Sequence, residues 1–176
     1  MNRRGFTIVE LVIVITVMGI LMILGVVNLR GSEVNGRDSE RKADIDTIAL
    51  HLETFYTSGT DGSTTFGYYP STDSGTMVGL TAQKTTLRDI DEKNLVAPGA
   101  PDDSTTSLVV ATNNISTTAG VLPQPQSADN QNQYVYQPLK SDGSLCTLTT
   151  EECSKFNLYY MLEKDSTVYM VTSRNQ

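Results

Sequence analysis

From Phe6 to Val27 the chain reads FTIVELVIVITVMGILMILGVV, 22 residues with one charged side chain, Glu10, and no proline. As a helix this run is about 33 Å long, enough to cross the hydrocarbon core of a bilayer. After Arg30 the pattern changes. Ile45, Ile48, Ala49, Leu52, Phe55 and Tyr56 recur at helical spacing and form one apolar stripe, with Glu33, Arg37, Asp38, Glu40, Arg41, Lys42, Asp44 and Asp46 around its start. The two patterns predict one helix from about Phe6 to Tyr56, apolar all round in its first half and amphipathic in its second, about 75 Å long in all. Gly31 and Gly36 are the places where such a helix bends or breaks most easily.

Downstream, residues 57–75 (TSGTDGSTTFGYYPSTDSG) are rich in Gly, Ser and Thr and read as loop. Residues 84–95 (KTTLRDIDEKNL) suggest a short helix capped by Thr85 or Thr86, with Leu87, Ile90 and Leu95 inward. Pro98–Asp103 is turn-rich, Leu108–Ala111 reads as either a strand or a buried loop, and PQPQSADNQNQ (123–133) is an exposed connector. Strand patterns gather at the end: Gln133–Leu139, Phe156–Glu163 and Thr167–Thr172, the last two joined by Lys164-Asp165-Ser166. Three antiparallel strands packed on the helix stripe give an α+β body. The pairs Tyr68-Tyr69 and Tyr159-Tyr160 have two readings, a binding surface or one ring of each pair in the core and one at its rim, and the second is preferred.

Composition sharpens the division. The 176 residues carry a net charge of −7, but residues 1–30 hold a balance of +2 and residues 31–176 one of −9. A basic, greasy head joins an acidic, polar body, and an acidic body is a poor specific surface for nucleic acid. One histidine and two cysteines are too few for most zinc sites. His51 has no second His or Cys within helical reach and receives no chemistry. No acid/base pair, nucleophile elbow or phosphate loop is present, which makes an enzyme the least favoured class.

Arg3 and Arg4 precede the apolar run and keep the amino terminus cytoplasmic, with everything after Val27 outside. A secretory signal peptide also has a basic start and an apolar run, but here the run is long and ends in Asn28-Leu29-Arg30, not in a small-residue cleavage site. A plain signal anchor fits better and leaves Glu10 unexplained. A carboxylate near one end of such a span costs about 2–3 kcal/mol on insertion scales, less if it snorkels, and calls for a partner. If the chain is cut after Gly5, Phe6 gains a cationic α-amino group four residues before Glu10. Between parallel helices staggered along a bundle, the amine of one copy meets the carboxylate of the next. Such a pair sets register in a homopolymer, and leaving either charge alone in a low dielectric is strongly unfavourable.

The segment Arg3-Arg4-Gly5-Phe6-Thr7-Ile8-Val9-Glu10-Leu11 resembles the class III signal of type IV pilins and type II secretion pseudopilins. The resemblance is close over roughly the first 30 residues and elsewhere extends only to layout. It implies a pilin fold, with a long amino-terminal helix on a small antiparallel sheet. It implies a leader at 1–5, a hydrophobic membrane and polymerisation helix at 6–30, its amphipathic continuation at 31–56, and an extracellular head at 57–176. Within that head, 57–132 is loop-rich and 133–173 forms the sheet. A membrane-embedded prepilin peptidase would cut between Gly5 and Phe6 and N-methylate Phe6, and Glu10 would guide assembly of the homo-oligomeric filament. Further implied partners are the pilus assembly platform and its ATPase, and the inner or cytoplasmic membrane before assembly. Many pilins carry a proline near the outer end of this helix; residues 24–30 here have none. Gly19 and Gly25 are then the weak points, as sites of loosening on assembly or of close helix packing.

Cys146 and Cys153, seven positions apart, fall outside the cytoplasm under this topology, where disulfides persist. The spacing is not C-x-x-C and no further ligand is nearby, so a structural bridge is preferred to a redox or metal pair. Closing so short a loop is worth roughly 2.5 kcal/mol in the chain-entropy account. Many pilins have a similarly placed disulfide bounding an exposed loop. Some pseudopilins bind calcium in a carboxyl-half loop, but nothing here resembles an EF-hand, and Asp102, Asp129 and Asp142 are assigned no ion. No cofactor is expected. Asn114-Ile115-Ser116 matches a glycosylation sequon, a triplet common by chance. The first functional expectation is a type IV pilin subunit serving adhesion, twitching motility or DNA uptake. The alternatives are a pseudopilin of a type II secretion system and a monomeric membrane-anchored binding module in which Glu10 is incidental.

Overall fold

The protein is described from a computed structural model. The described residues are 6–59, 66–73, 75–101, 104–115, 130–165 and 167–175, with backbone only at 26–30 and 130. Arg3, Arg4, Gly5, Asp102, Asp103, Ser116, Asp129 and Ser166 lie outside them, as do most of the Ser/Thr-rich loop and of the connector before β2. The chain divides into two compact units, Met1–Gly36 and Arg37–Gln176. The helix α1 (Ile8–Ser58) runs from the first unit into the second.

In the first unit, α1 is rich in Val and Ile, residues that in water favour strand. In hydrocarbon the preference is overridden, because every backbone N–H and C=O must be satisfied within the segment. Ile8–Gly25 is long and apolar enough to span a membrane, and every side chain from Phe6 to Gly25 is exposed. The one hydroxyl in mid-span, on Thr16, donates to the Val12 carbonyl of its own helix and so presents no free polar group. The helical assignment continues through Gly19, Gly25, Gly31 and Gly36.

In the second unit, a four-stranded sheet of order β1 (Leu108–Val110), β2 (Tyr134–Leu139), β3 (Lys155–Met161), β4 (Val168–Thr172) packs against α1. The pairs β2–β3 and β3–β4 are antiparallel, as the sequence pattern suggests. Leu108–Val110 resolves as a strand and pairs parallel to β2, so the sheet is mixed, not purely antiparallel. The chain from Ala111 to Gln133 is long enough for a parallel return. β1 covers β2 only from Tyr134 to Tyr136. Pro138 lies past its end, and on that side its carbonyl accepts from Cys146 N, so the missing proline N–H costs no ladder bond.

Alternation along the strands sorts the side chains. Tyr134, Tyr136, Phe156, Leu158 and Tyr160 face α1 and join Ile45, Ile48 and Leu52 in the core. Ala49 and Tyr56 pack at its margin. Val135, Tyr159 and Ala111 form a smaller cluster on the opposite face. There the buried Gln137 amide donates to the carbonyls of Asn113 and Ile115 and accepts from Asn157 Nδ2 and Tyr159 Oη. Both Tyr159 and Tyr160 are therefore buried, one on each face. The expectation that one of them sits at the rim fails because β3 is covered on both sides.

The single helix expected at 84–95 is two pieces. α2 spans Leu80–Thr86, and a 3-10 turn spans Glu92–Leu95. Asp89 between them adopts φ +59°, which no helix accommodates. The cap is Asp91, whose carboxylate accepts Lys93 N at 3.0 Å, not Thr85 or Thr86. Leu87, Ile90 and Leu95 do face inward.

Several charges that the pattern places around the start of the stripe are interior. Arg41 is 1% exposed. Its guanidinium donates to Asp38 Oδ1 at 3.0 Å and to the carbonyls of Gln131 and Pro98 at 2.9 and 2.8 Å. Asp38 in turn accepts the backbone N–H groups of Glu163 and Lys164 at 2.8 and 3.1 Å. Arg37 donates to the Glu163 carboxylate through Nε and Nη2 at 2.8 and 2.6 Å. These bonds fasten the helix to the β3–β4 connection and to the loop at Pro98. One turn on, Tyr134 Oη donates to Asp44 at 2.7 Å. At the far end of the helix, Glu53 accepts from Tyr69 Oη, Arg174 N and Asn175 Nδ2 and so holds the carboxyl-terminal residues.

Two outcomes follow from these groups. Removing Arg41 leaves the Asp38 carboxylate buried without its cation, and Arg41→Met is expected to lower unfolding stability by about 3–5 kcal/mol, read by urea titration of the detergent-solubilised chain. Burial first, then Glu40, pushes the Asp44 carboxyl up to about 6, against the opposing Tyr134 hydrogen bond and Arg41. A folded value above the ordinary 3.8 means that the folded state binds the extra proton. The contribution of Asp44 is thus fully present below the ordinary value and is lost as pH rises through about 6. Asp44→Asn is therefore expected to raise Tm by about 3 °C at pH 7.5 and to leave it unchanged at pH 4, checked by thermal melts at both.

Candidate functional site

The apolar helix begins with a reciprocal cap. Thr7 precedes the first helical residue, Ile8. Its hydroxyl accepts Glu10 N at 3.2 Å, while Glu10 Oε2 accepts both Thr7 N at 2.9 Å and Thr7 Oγ1 at 2.8 Å. This is the capping box, a Thr and a Glu three positions apart satisfying each other's backbone donors. The negative carboxylate also suits the positive end of the helix dipole. Leu11 N donates to the Thr7 carbonyl and closes the first turn. Phe6 stands ahead of the cap, outside the helix, and is 89% exposed. The pattern T-x-x-E before an apolar run is legible in the sequence. By charge, Glu10 alone stands out in this segment; Thr7 is marked only by its spacing to Glu10.

The structure brings Phe6, Thr7 and Glu10 together at one chain end, Phe6 and Thr7 ahead of the helix and Glu10 in its first turn. Glu10 uses one carboxylate oxygen for both Thr7 donors, and its Oε1 takes no hydrogen bond among the described residues. A carboxylate exposed on an apolar span and anchored at one oxygen can accept a cation at the other. It can do so without breaking its own helix start.

In the second unit, Cys146 and Cys153 are joined by a disulfide and are both buried. Their carbonyls accept Thr72 N and Tyr69 N at 3.0 and 2.8 Å, so the bridge also fixes the segment around Pro70. Within the bridged loop, Glu151 accepts Leu148 N, Lys140 Nζ and Thr147 N. The Leu148 amide, followed by Lys140 and the Thr147 amide, holds its carboxyl down to about 2. Beside the loop is a cleft of about 190 Å³ lined by Phe55, Tyr68, Tyr69, Leu148 and Thr149. Phe55, expected in the core stripe, forms this wall instead. Tyr69 is buried, with its ring edge-on to Phe156 at 4.8 Å between centroids, and burial pushes its phenol up to about 12. Tyr68 is half-buried beside it.

The remaining candidates do not converge. His51 lines a separate cleft with Leu50, Thr54, Phe55, Arg88 and Asp89. Among the described residues, no three His, Cys, Asp or Glu side chains are placed to hold a metal ion. Of the acids named in the sequence analysis, Asp142 serves a turn, where it accepts Ser144 N and Oγ; on the surface, Glu92 pairs with Lys84 at 3.1 Å. Asn114 donates to the Gly143 carbonyl.

Residues 1–26 match the family model of the prokaryotic N-terminal methylation motif. No curated protein and no solved structure matches the chain. The matched residues contain the span Ile8–Gly25, its capping box and the lone carboxylate, so the chain carries at its amino terminus the class III signal peptide of type IV pilins and pseudopilins.

Proposed function

We propose that this chain is a structural subunit of a type IV pilus. The precursor inserts in the membrane through Ile8–Gly25 with its amino terminus in the cytoplasm. Prepilin peptidase cuts between Gly5 and Phe6 and methylates the new amine of Phe6. Assembly machinery then draws the helix out of lipid into a bundle of helices, where van der Waals contact governs association. Glu10 receives the Phe6 amine of a neighbouring copy. The acidic second unit forms the outer coat, with its disulfide-bounded loop at the surface.

The observation that carries this reading is the match over residues 1–26, taken with one carboxylate inside an otherwise uncharged span. A membrane anchor alone does not account for Glu10, since an ionisable group facing lipid is costly unless paired. The reaction asked of the chain is its own processing and assembly, and the reading assigns it no enzymatic step.

Protein isolated from its host is expected to begin at a methylated Phe6, shown by intact mass and amino-terminal sequencing, and to be recovered in sheared surface filaments. Glu10→Ala is expected to leave cleavage intact and to reduce filament recovery at least about tenfold, the scale of losing a paired charge in low dielectric. A chain retaining Met1, or Glu10→Ala filaments at the parental level, contradicts the proposal. Recovery in a short periplasmic fibre of a secretion machine points to the pseudopilin alternative.

A further inference from the structure

The sheet ends in an open edge at β4, whose neighbour in the strand order is β3 alone. Leu162 N donates to the Thr167 carbonyl and Ser173 N to the Phe156 carbonyl, so by alternation Tyr169 and Val171 direct their backbone groups to β3. The N–H and C=O groups of Val168, Met170 and Thr172 then point away from the sheet, and they take no hydrogen bond among the described residues. The opposite edge is closed at its start: Leu108 N donates to Thr106 Oγ1, and the Leu108 carbonyl accepts Gln83 Nε2 at 2.7 Å. β4 also lacks the usual guards of an edge, since Thr167–Ser173 holds no charge, proline or glycine. Beside it runs a groove lined by Asp46, Ala49, Leu50 and Glu53 of α1 and by Val171 and Arg174. Leu50 in the groove and Met170 on the strand are 59% and 49% exposed.

Donors and acceptors repeating at strand spacing select another strand as the occupant. Charge selects which one. β4 has an acid just before it, Asp165, and a base just after it, Arg174. Laid antiparallel on a second β4, Arg174 of each copy meets the Glu163–Asp165 turn of the other, where two acids outnumber one lysine. We infer that the β4 edge is a self-complementary interaction surface that pairs antiparallel, about a two-fold axis at Met170, with β4 of a second copy of this chain. In that register Met170 faces Met170, and Val168 of each copy faces Thr172 of the other, so the outward donors and acceptors of both strands meet in step. The two methionines cover each other on one face of the joined sheet. On the other face Tyr169 of each copy lies opposite Val171 of its neighbour and closes over the groove at Ala49 and Leu50. The balance of −9 on residues 31–176 repels a second body at long range, so added salt is expected to tighten the pair. A closed two-fold contact does not propagate along a fibre. It is separate from the Phe6–Glu10 contact and needs no filament to form.

The test uses the full chain in detergent micelles, with single cysteines introduced along β4. In a hydrogen-bonded antiparallel pair the two Cα atoms are about 5.5 Å apart, within reach of a disulfide. Val168 of one copy is about 13 Å out of step with Val168 of the other. Under mild oxidation Met170→Cys is therefore expected to give about tenfold more cross-linked dimer than Val168→Cys, read on a non-reducing gel. The native Cys146–Cys153 bridge is checked in the same samples by peptide mass. A mixture of Val168→Cys and Thr172→Cys chains is expected to cross-link within about threefold of Met170→Cys, because those positions face each other across the axis. In the unsubstituted chain the amides of Val168, Met170 and Thr172 are expected to exchange about tenfold more slowly in the dimer than in the monomer. Equal yields from Met170→Cys and Val168→Cys overturn the inference, because chance collision within a micelle has no register. Protection of the three amides already in the monomer also overturns it, since the chain would then cover its own edge. So does exchange that stays fast at every protein concentration, which would leave the edge without an occupant.

Discussion

A carboxylate that faces hydrocarbon has to be met by donors or cations, because water is not available to solvate it. The span carries one acid, and the donors nearest to it are those of Thr7, which start the helix and hold one side of the carboxylate. The mid-span Thr16 hydroxyl is returned to its own helix. Among the described residues of the span, Glu10 Oε1 is then a side-chain acceptor without a hydrogen bond. A single unfilled acceptor fixes register in a way that a uniformly apolar surface cannot, in the manner of a lone polar residue in a coiled-coil seam.

The second unit solves a different problem. Its amphipathic stretch of α1 has only one apolar stripe, and the sheet covers it with aromatic side chains from β2 and β3. Packing of that kind is sequence-tolerant and non-directional. Direction comes from the polar bonds at either end of the stripe. Arg41 and Asp38 tie the helix to the β3–β4 connection, and Glu53 ties it to Tyr69 and to the carboxyl-terminal residues. The disulfide does the same for the segment around Pro70, through the carbonyls of Cys146 and Cys153.

Much of this was legible in the residues. The apolar run, the stripe from Ile45 to Tyr56 and the alternation in the last two strands each follow one period, and each appears as an element. The short parallel strand Leu108–Val110 has no period long enough to separate strand from buried loop; only its partner β2 decides it. The break at Asp89 was hidden because a left-handed residue leaves no composition signal when the residue is not glycine. Arg41 and Asp38 looked like solvated helix charges, since burial of a charge depends on carbonyls contributed by distant loops. At the functional end, Glu10 was conspicuous as the lone charge. Thr7 carries a local signal in its spacing to Glu10, but a threonine at the edge of an apolar run does not stand out by polarity.

The central claim is a contact between copies, and a distance measured in the filament tests it most directly. Filaments built from a mixture of subunits labelled at the Phe6 nitrogen and subunits labelled at the Glu10 side-chain carboxyl permit solid-state NMR to read that separation between chains. The account predicts an intermolecular nitrogen-to-oxygen approach within about 4 Å, the range of an ion pair. A filament in which the two groups of neighbouring copies lie well beyond that range, with Glu10 facing lipid or water instead, would contradict it.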